Sequence, residues 1–199
     1  MGPLASTLCL PAWSHSLVQS PVRNNLIFSL VVAESSQIMV QETIDRALAA
    51  PLRTIIFVPT LLWLSTLLDI FAESRRCVFG FHANLSADLK TQSLSGFASH
   101  EASILVTTTA LSCGMNVPDV SDVIVFSEVS CTENLLQFGG RAARQGNSED
   151  GRCVLITCRE SVATLSYRAR ISHGAQQVLR LIQSPDFAAA LYDCYTPHV

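Results

Sequence analysis

Lysine is almost missing from this chain of 199 residues: Lys90 is the only one, and the other twelve basic residues are arginines. A phosphate-binding loop of the G-x-x-x-x-G-K-[ST] type needs a lysine beside the β- and γ-phosphates. Lys90 lies in NLSADLKTQS with no glycine-rich turn ahead of it, so that loop is excluded. Charge is sparse as well, at 15% of residues and a net −3. This excludes the broad positive field of an independent DNA-binding module, so any hold on nucleic acid must be local. No C-x-x-C pair occurs among the seven cysteines at 9, 77, 113, 131, 153, 158 and 194. The odd count argues against a disulfide framework, and the missing pair against structural zinc. The thiols read as free and mostly buried, in a reducing compartment, and no metal site is expected. Met1–Pro11 has no basic start, so a secretory leader is not expected. MGPLAS has the form of an N-myristoylation signal, although Pro3 suits it poorly. The G-x-S-x-G elbow, H-E-x-x-H and a G-x-G-x-x-G after a strand are also missing, which removes three common catalytic frameworks.

What is present is apolar and ordered in alternation. Hydrophobic residues make up 49% of the chain, enough for one domain with a sizeable core. Residues 1–21 read as an irregular lead-in. Continuous apolar runs predict strands at 25–32, 54–58, 77–81, 103–107, 122–127 and 152–157. Helical spacing predicts helices at 36–49, 61–71, 86–97 and 132–144, with Ser35 or Ser36, Ser86 and Thr132 as caps. Residues 160–183 are helical in pattern, and the tail from 186 has room for one short helix. Strands that are apolar throughout, alternating with helices, indicate an α/β fold: a parallel sheet of about six strands with helices on both faces. Functional loops in such sheets lie beyond the carboxyl ends of the strands. Pro59-Thr60, His82, Thr107–Thr109 and Ser127-Glu128 fall at those ends.

The run 54–72, TIIFVPTLLWLSTLLDIFA, is about long enough to span a bilayer. Pro59 and Thr60 divide it, and Asp69 interrupts its second half. It reads as a strand, a turn and a buried helix, and a membrane-associated protein is the rival reading.

Two segments carry chemistry. In QFGGRAARQG, at residues 137–146, Arg141 and Arg144 stand three apart, which on a helix puts both on one face. Guanidinium groups suit phosphate oxygens through bidentate bonds, and an arginine delivered to a transferring γ-phosphoryl group stabilises its charge. A surface arginine pair near a helix end is the plainer alternative. In TTTALSCGMNVPDV, at residues 107–120, the threonine hydroxyls and backbone N–H groups at a strand end suit a nucleic-acid phosphate without reading its bases. Solvated hydroxyls at a strand end are the alternative there, and a lone loop histidine such as His82 is more often structural.

These segments together resemble motifs five and six of superfamily 2 helicases, and most of all the RecQ-like DNA helicases. RNNLIFSLVV, RTIIFVPT and GFHANLSADLK are similar to the pieces that precede motif five, so the resemblance covers roughly residues 22–160, with 161–199 left as a helical tail. It implies the C-terminal, second RecA-like lobe of an ATP-dependent motor. In that motor Arg144 and Arg141 would be the catalytic arginines. Gln137, Gly140, Gly114 and Asn116 would lie against the nucleotide. Thr107, Thr108, Thr109, Pro59, Thr60 and His82 would hold DNA, single-stranded or duplex. ATP with Mg2+ would bind only where a first RecA-like lobe, in cis or in trans, completes the site; no cofactor is expected for the isolated chain, and no membrane. The resemblance further implies the nucleus or another reducing intracellular compartment. Three positions of motifs five and six depart from the family pattern: Ala143 replaces the middle glycine of motif six, Ser112 a glycine and Asn116 an aspartate of motif five. Asn84 also replaces a glycine of the histidine block. With no phosphate-binding loop, the chain is expected to be a fragment or truncated product. A degenerate, non-enzymatic binding or regulatory module is the second reading.

Overall fold

The computed structural model describes residues 25–111, 120–143 and 150–194. Within them the order is β1 (Leu26–Ala33), α1 (Ser36–Ala49), β2 (Thr54–Phe57), α2 (Leu61–Phe71), β3 (Val78–Phe81), α3 (Ala87–Ser99), β4 (Ile104–Thr107), a 3-10 turn (Thr109–Leu111), β5 (Asp122–Phe126), α4 (Thr132–Gly139), β6 (Gly151–Cys158), α5 (Arg159–Arg168), α6 (His173–Gln183) and α7 (Phe187–Asp193). The six strands form one sheet in the order β1-β6-β5-β2-β4-β3, and every pairing is parallel. The sequence predicts this α/β class, and the structure has it.

Side chains alternate across each strand, and here the alternation sorts two apolar layers. Ile56, Val106, Ile124 and Ile156 face one side, where they meet Met39 and Ala47 of α1 and Leu64, Leu67 and Phe71 of α2. Ile55, Phe57, Leu105, Val123, Val125 and Leu155 face the other, against Phe97 of α3, Leu135 and Phe138 of α4, and apolar residues of α5, α6 and α7. β2 and β4 are buried at every residue, as central parallel strands covered on both faces should be.

Local chemistry starts most of the helices. The hydroxyls of Ser35, Thr60, Ser86 and Ser172 and the carboxylate of Asp186 each accept a backbone N–H from the first turn of their helix, an arrangement worth about 1 kcal/mol apiece. Two arginines close helix ends at the amino side of the sheet. Arg53 donates to the carbonyls of Phe97 and Ala98 at the end of α3. Arg76 donates to Leu48 and Ala50 at the end of α1, and to Leu52 and Ala102.

Three boundaries differ from expectation. The cap of α4 is Cys131, not Thr132, which is buried in the first turn. Residues 160–183 form two helices, broken by the turn at 169–172. The predicted helix 132–144 stops at Gly139. There Arg141 and Ala142 donate to the carbonyls three residues back, and Ala143 donates to Val120. The bridge between Ala142 and Val120 draws the chain off the helix axis, and Ala143 takes a φ of 46°.

The run 54–72 is divided between β2, in the sheet centre, and α2, of 11 residues. Among the described residues no helix is long and apolar enough to cross a membrane.

Candidate functional site

The carboxyl ends of β2, β4 and β3 form one rim. Val58 donates its N–H to the Thr107 carbonyl at 2.8 Å, and Thr108 donates to Phe81 at 3.4 Å. These bonds bring Pro59-Thr60, Thr107–Thr109 and His82 to neighbouring positions, as parallel strand order requires. The six residues are not equivalent. Pro59, Thr60 and Thr109 are exposed and Thr108 is half-buried. Thr107 is fully buried, and its hydroxyl donates to the Thr108 carbonyl at 3.0 Å. Its hydroxyl therefore belongs to the core and does not face the rim, a correction to the expectation for Thr107. The Thr108 hydroxyl accepts from Ala110 at 3.4 Å and starts the 3-10 turn. The Thr60 hydroxyl is the cap of α2, accepting from Trp63 at 3.2 Å. The Nδ1 of His82 is buried with no hydrogen-bond partner, so its imidazole has an unmet polar need at the rim.

Beside the rim, between β2, β5 and α4, a groove of about 260 Å³ opens. Pro59, Thr60 and Thr109 line one part of it, and Glu128, Ser130, Asn134 and Arg168 another, over a floor that includes Phe57, Val125 and Phe138. Phe57 and Phe138 stack with ring centres 4.1 Å apart. Ser127 takes a φ of 78° at the end of β5. Next to it the Glu128 carboxylate receives Arg168 at 2.9 Å. Sequence reading noted Ser127-Glu128 only as polar residues at a strand end. Arg168 had no local signal, because it reaches the groove from a helix 40 residues further along the chain.

Motif six lies elsewhere. Through Ala142 and Ala143 it pairs with Val120, just ahead of the amino end of β5. Arg141, expected on the α4 face, stands beyond the end of that helix, which stops at Gly139. Arg141 is 4% exposed, and its guanidinium donates to the Leu111 carbonyl at 2.8 Å. It joins the segment after β4 to the segment after α4. Of the remaining residues expected to meet a nucleotide, Gln137 is exposed and Gly140 is half-buried at the helix end. Arg144, Gly114 and Asn116 lie outside the described residues, as do Ser112, Pro118 and Gly146. Lys90 donates its ammonium to the Ala83 carbonyl at 2.7 Å, which ties down the loop after β3.

The described cysteines are free thiols: Cys77 and Cys194 are exposed, Cys131 half-buried, and Cys153 and Cys158 buried. Burial pushes the Cys153 thiol well above its ordinary value. At the start of α4, the Glu133 carboxylate is held below its usual range, first by its own backbone N–H and then by the Cys131 thiol.

Residues 37–146 match the family model of the helicase conserved C-terminal domain, more than half of the chain. This chain belongs to that family. It is a helicase C-terminal domain of superfamily 2. It is 29% identical over 151 residues to the mitochondrial ATP-dependent RNA helicase MSS116 of Saccharomyces cerevisiae, a match covering 74% of this chain and 21% of that protein. It is 35% identical over 99 residues to the ATP-dependent DNA helicase Q1 of Mus musculus, covering 50% of this chain and 15% of that one. The helicase domain thus spans about a fifth of its relatives' length or less. Among solved structures, the DEAD-box helicase Mss116 bound to single-stranded RNA and UDP-BeF superposes with a TM-score of 0.64 at 23% identity, over 79% of this chain and 32% of that one. That likeness establishes the shared RecA-like sheet.

Proposed function

We propose that this helicase domain is the second motor lobe of an ATP-dependent, nucleic-acid-unwinding enzyme. The observation that carries the reading is the rim itself: Pro59, Thr60, Thr108, Thr109 and His82 brought together at the carboxyl ends of three adjacent strands. Hydroxyls and backbone N–H groups at strand ends suit a phosphate backbone and carry no base preference. In this reading Arg144 supplies the arginine finger, and Gln137, Gly140, Gly114 and Asn116 approach the nucleotide. Arg141 acts as the tether that fixes motif six against motif five. ATP and Mg2+ bind where a first RecA-like lobe brings its own phosphate loop, whether in the same polypeptide or in a separate one. The chain by itself has negligible ATPase activity.

The finer assignment we propose is a RecQ-like enzyme acting on DNA in the nucleus. Its support is the Gln137-to-Gly146 motif and the 35% identity to the DNA helicase Q1. An RNA-directed enzyme is the second reading, favoured by the longer match to MSS116 over 74% of this chain.

The test is reconstitution. The chain is mixed with a separately expressed first lobe of a RecQ-like helicase, and nucleic-acid-stimulated ATP turnover is measured with DNA and RNA single strands. Turnover that depends on both lobes and is abolished by Arg144→Ala supports the finger role. Turnover unchanged by Arg144→Ala ends it, and magnesium-dependent turnover by this chain alone ends the single-lobe reading. Stronger stimulation by RNA than by DNA selects the second reading.

A further inference from the structure

Beyond the family match, which ends at residue 146, the end of α5 holds a group of side chains that the helicase motifs do not use. Arg168 is the only cationic side chain among the described residues lining the groove next to Thr60 and Thr109. It is 40% exposed at the side chain and bonded to Glu128, itself 26% exposed. Tyr167, the preceding residue, is 67% exposed. The Arg170 guanidinium lies 5.9 Å from the Tyr167 ring centre, so the ring is braced in solvent and not folded onto the core. An exposed aromatic ring with one guanidinium against it and another a residue away on the groove is a side-chain set that suits a single strand: the ring stacks on a base and the guanidinium groups meet phosphates.

We propose that Tyr167, Arg168 and Arg170 extend the strand path of this lobe beyond the Thr60–Thr109 rim, and that Glu128 gates it. The inference rests on the nucleic-acid reading above. In the free lobe Glu128 neutralises Arg168 and places a carboxylate where a phosphate would sit. A strand arriving along the rim competes with that carboxylate for the guanidinium. Ser127 contributes by its backbone: a φ of 78° is costly for a residue with a side chain, and it directs Glu128 toward α5. Its hydroxyl lies 3.2 Å from that of Ser161, fixing the loop to the first turns of the same helix. The bound species is a single strand with a phosphodiester backbone, and the two sugar types separate in the assay below.

The experiment is fluorescence anisotropy of the full chain with fluorescein-labelled oligo-dT and oligo-U of about twenty nucleotides, across a salt series. Arg168→Ala is expected to weaken binding about threefold to tenfold, and to flatten the slope of log affinity against log salt by about 0.7. Arg168→Lys restores the slope because it keeps the charge. Tyr167→Ala weakens binding about fivefold without changing the slope, since a stack carries no charge. Glu128→Gln tightens binding about threefold, as removal of a competing anion should. The Tyr167 variant alters an exposed side chain, so loss of folding does not confuse its readout. If the parent chain binds and both Arg168→Ala and Tyr167→Ala leave affinity and slope unchanged, the extension is wrong while the rim reading stands. If Glu128→Gln weakens binding, the gate is wrong. If the parent chain binds neither strand even when paired with a first lobe, the nucleic-acid reading itself fails. A preference for oligo-dT or oligo-U identifies the sugar the path accepts.

Discussion

The guanidinium of Arg141 and the carbonyl of Leu111 are 2.8 Å apart in the protein interior, 30 residues separated in sequence. This bond ties the loop that follows β4 to the loop that follows α4, the two segments in which helicase motifs five and six lie. Arg141→Ala leaves the Leu111 carbonyl without this donor, and removal of a buried charged donor is expected to cost about 2–3 kcal/mol. Lysine will not restore it, because a single ammonium cannot reproduce the planar fork. Urea denaturation measures this. An Arg141→Ala protein as stable as the parent would remove the tether, and with it the distinction drawn between Arg141 and Arg144.

Arg76 has a parallel role at the other side of the sheet. Its guanidinium donates to the carbonyls of Leu48, Ala50, Leu52 and Ala102. Those carbonyls belong to the end of α1 and the loops that lead into β2 and β4. Arg76→Ala is expected to lower the unfolding free energy by about 2 kcal/mol, with Arg76→Lys recovering less than half. Hydrogen exchange should report the loss first at the carboxyl end of α1. Protection there that matches the parent would contradict the assignment.

Ala143 and Gly151 are a coupled pair. Ala143 stands at a φ of 46°, and a Cβ built on Gly151 would lie 2.9 Å from the Ala143 Cβ and 2.8 Å from that of Ala142. Ala143→Gly relieves a left-handed alanine, which costs roughly 1–2 kcal/mol, and gives back part of that in unfolded-chain freedom. The net expectation is a gain of about 0.5–1 kcal/mol. Gly151→Ala alone is expected to lose about 1–3 kcal/mol through overpacking. The double variant should lose less than the sum of the two singles, by about 0.5 kcal/mol or more. Additive values would show that the two backbones do not press on each other.

Cys153 gives the protein an alkaline sensitivity. Its side chain, on β6, is fully buried, and burial raises its folded value above the ordinary 9.0. The unfolded thiol ionises above about pH 9 while the folded one stays protonated, so the unfolded state is favoured as pH rises. Stability from this group is complete below the unfolded value and falls above it, by up to about 1.4 kcal/mol per pH unit. Cys153→Ala should show a shallower decline in melting temperature between about pH 9 and pH 10.5. Equal declines in the two proteins would place the sensitivity elsewhere. Native alkylation should label Cys77 and Cys194, which are exposed, and reach Cys153 only on unfolding.

Sequence reading located the strands well because parallel strands buried on both faces are apolar throughout, and β2 and β4 are buried at every residue. The helix caps were legible where a serine or threonine hydroxyl does the capping, as at Ser35 and Ser86. They were misread at Thr132, because α4 starts on Cys131 without a side-chain bond. The rim was legible too, since residues that follow strands in a parallel sheet must gather at one end. Burial was not legible: Thr107, Thr108 and Thr109 are one residue type in three environments, and only Thr109 is exposed.

The sequence by itself determined the class of fold, the helicase motifs and the lack of a phosphate-loop lysine, because each is a matter of residue type and spacing along the chain. The tertiary structure decided what the arginines do. Arg141 and Arg144 read as a matched pair at helical spacing, yet α4 ends at Gly139, the chain beyond it pairs through Ala142 and Ala143 with Val120, and Arg141 is buried on Leu111. Arg168 had no motif around it, yet the packing of α5 carries it to Glu128. A guanidinium goes where unpaired carbonyls and carboxylates are, and those partners come from residues 30 and 40 positions away, a distance no local pattern spans.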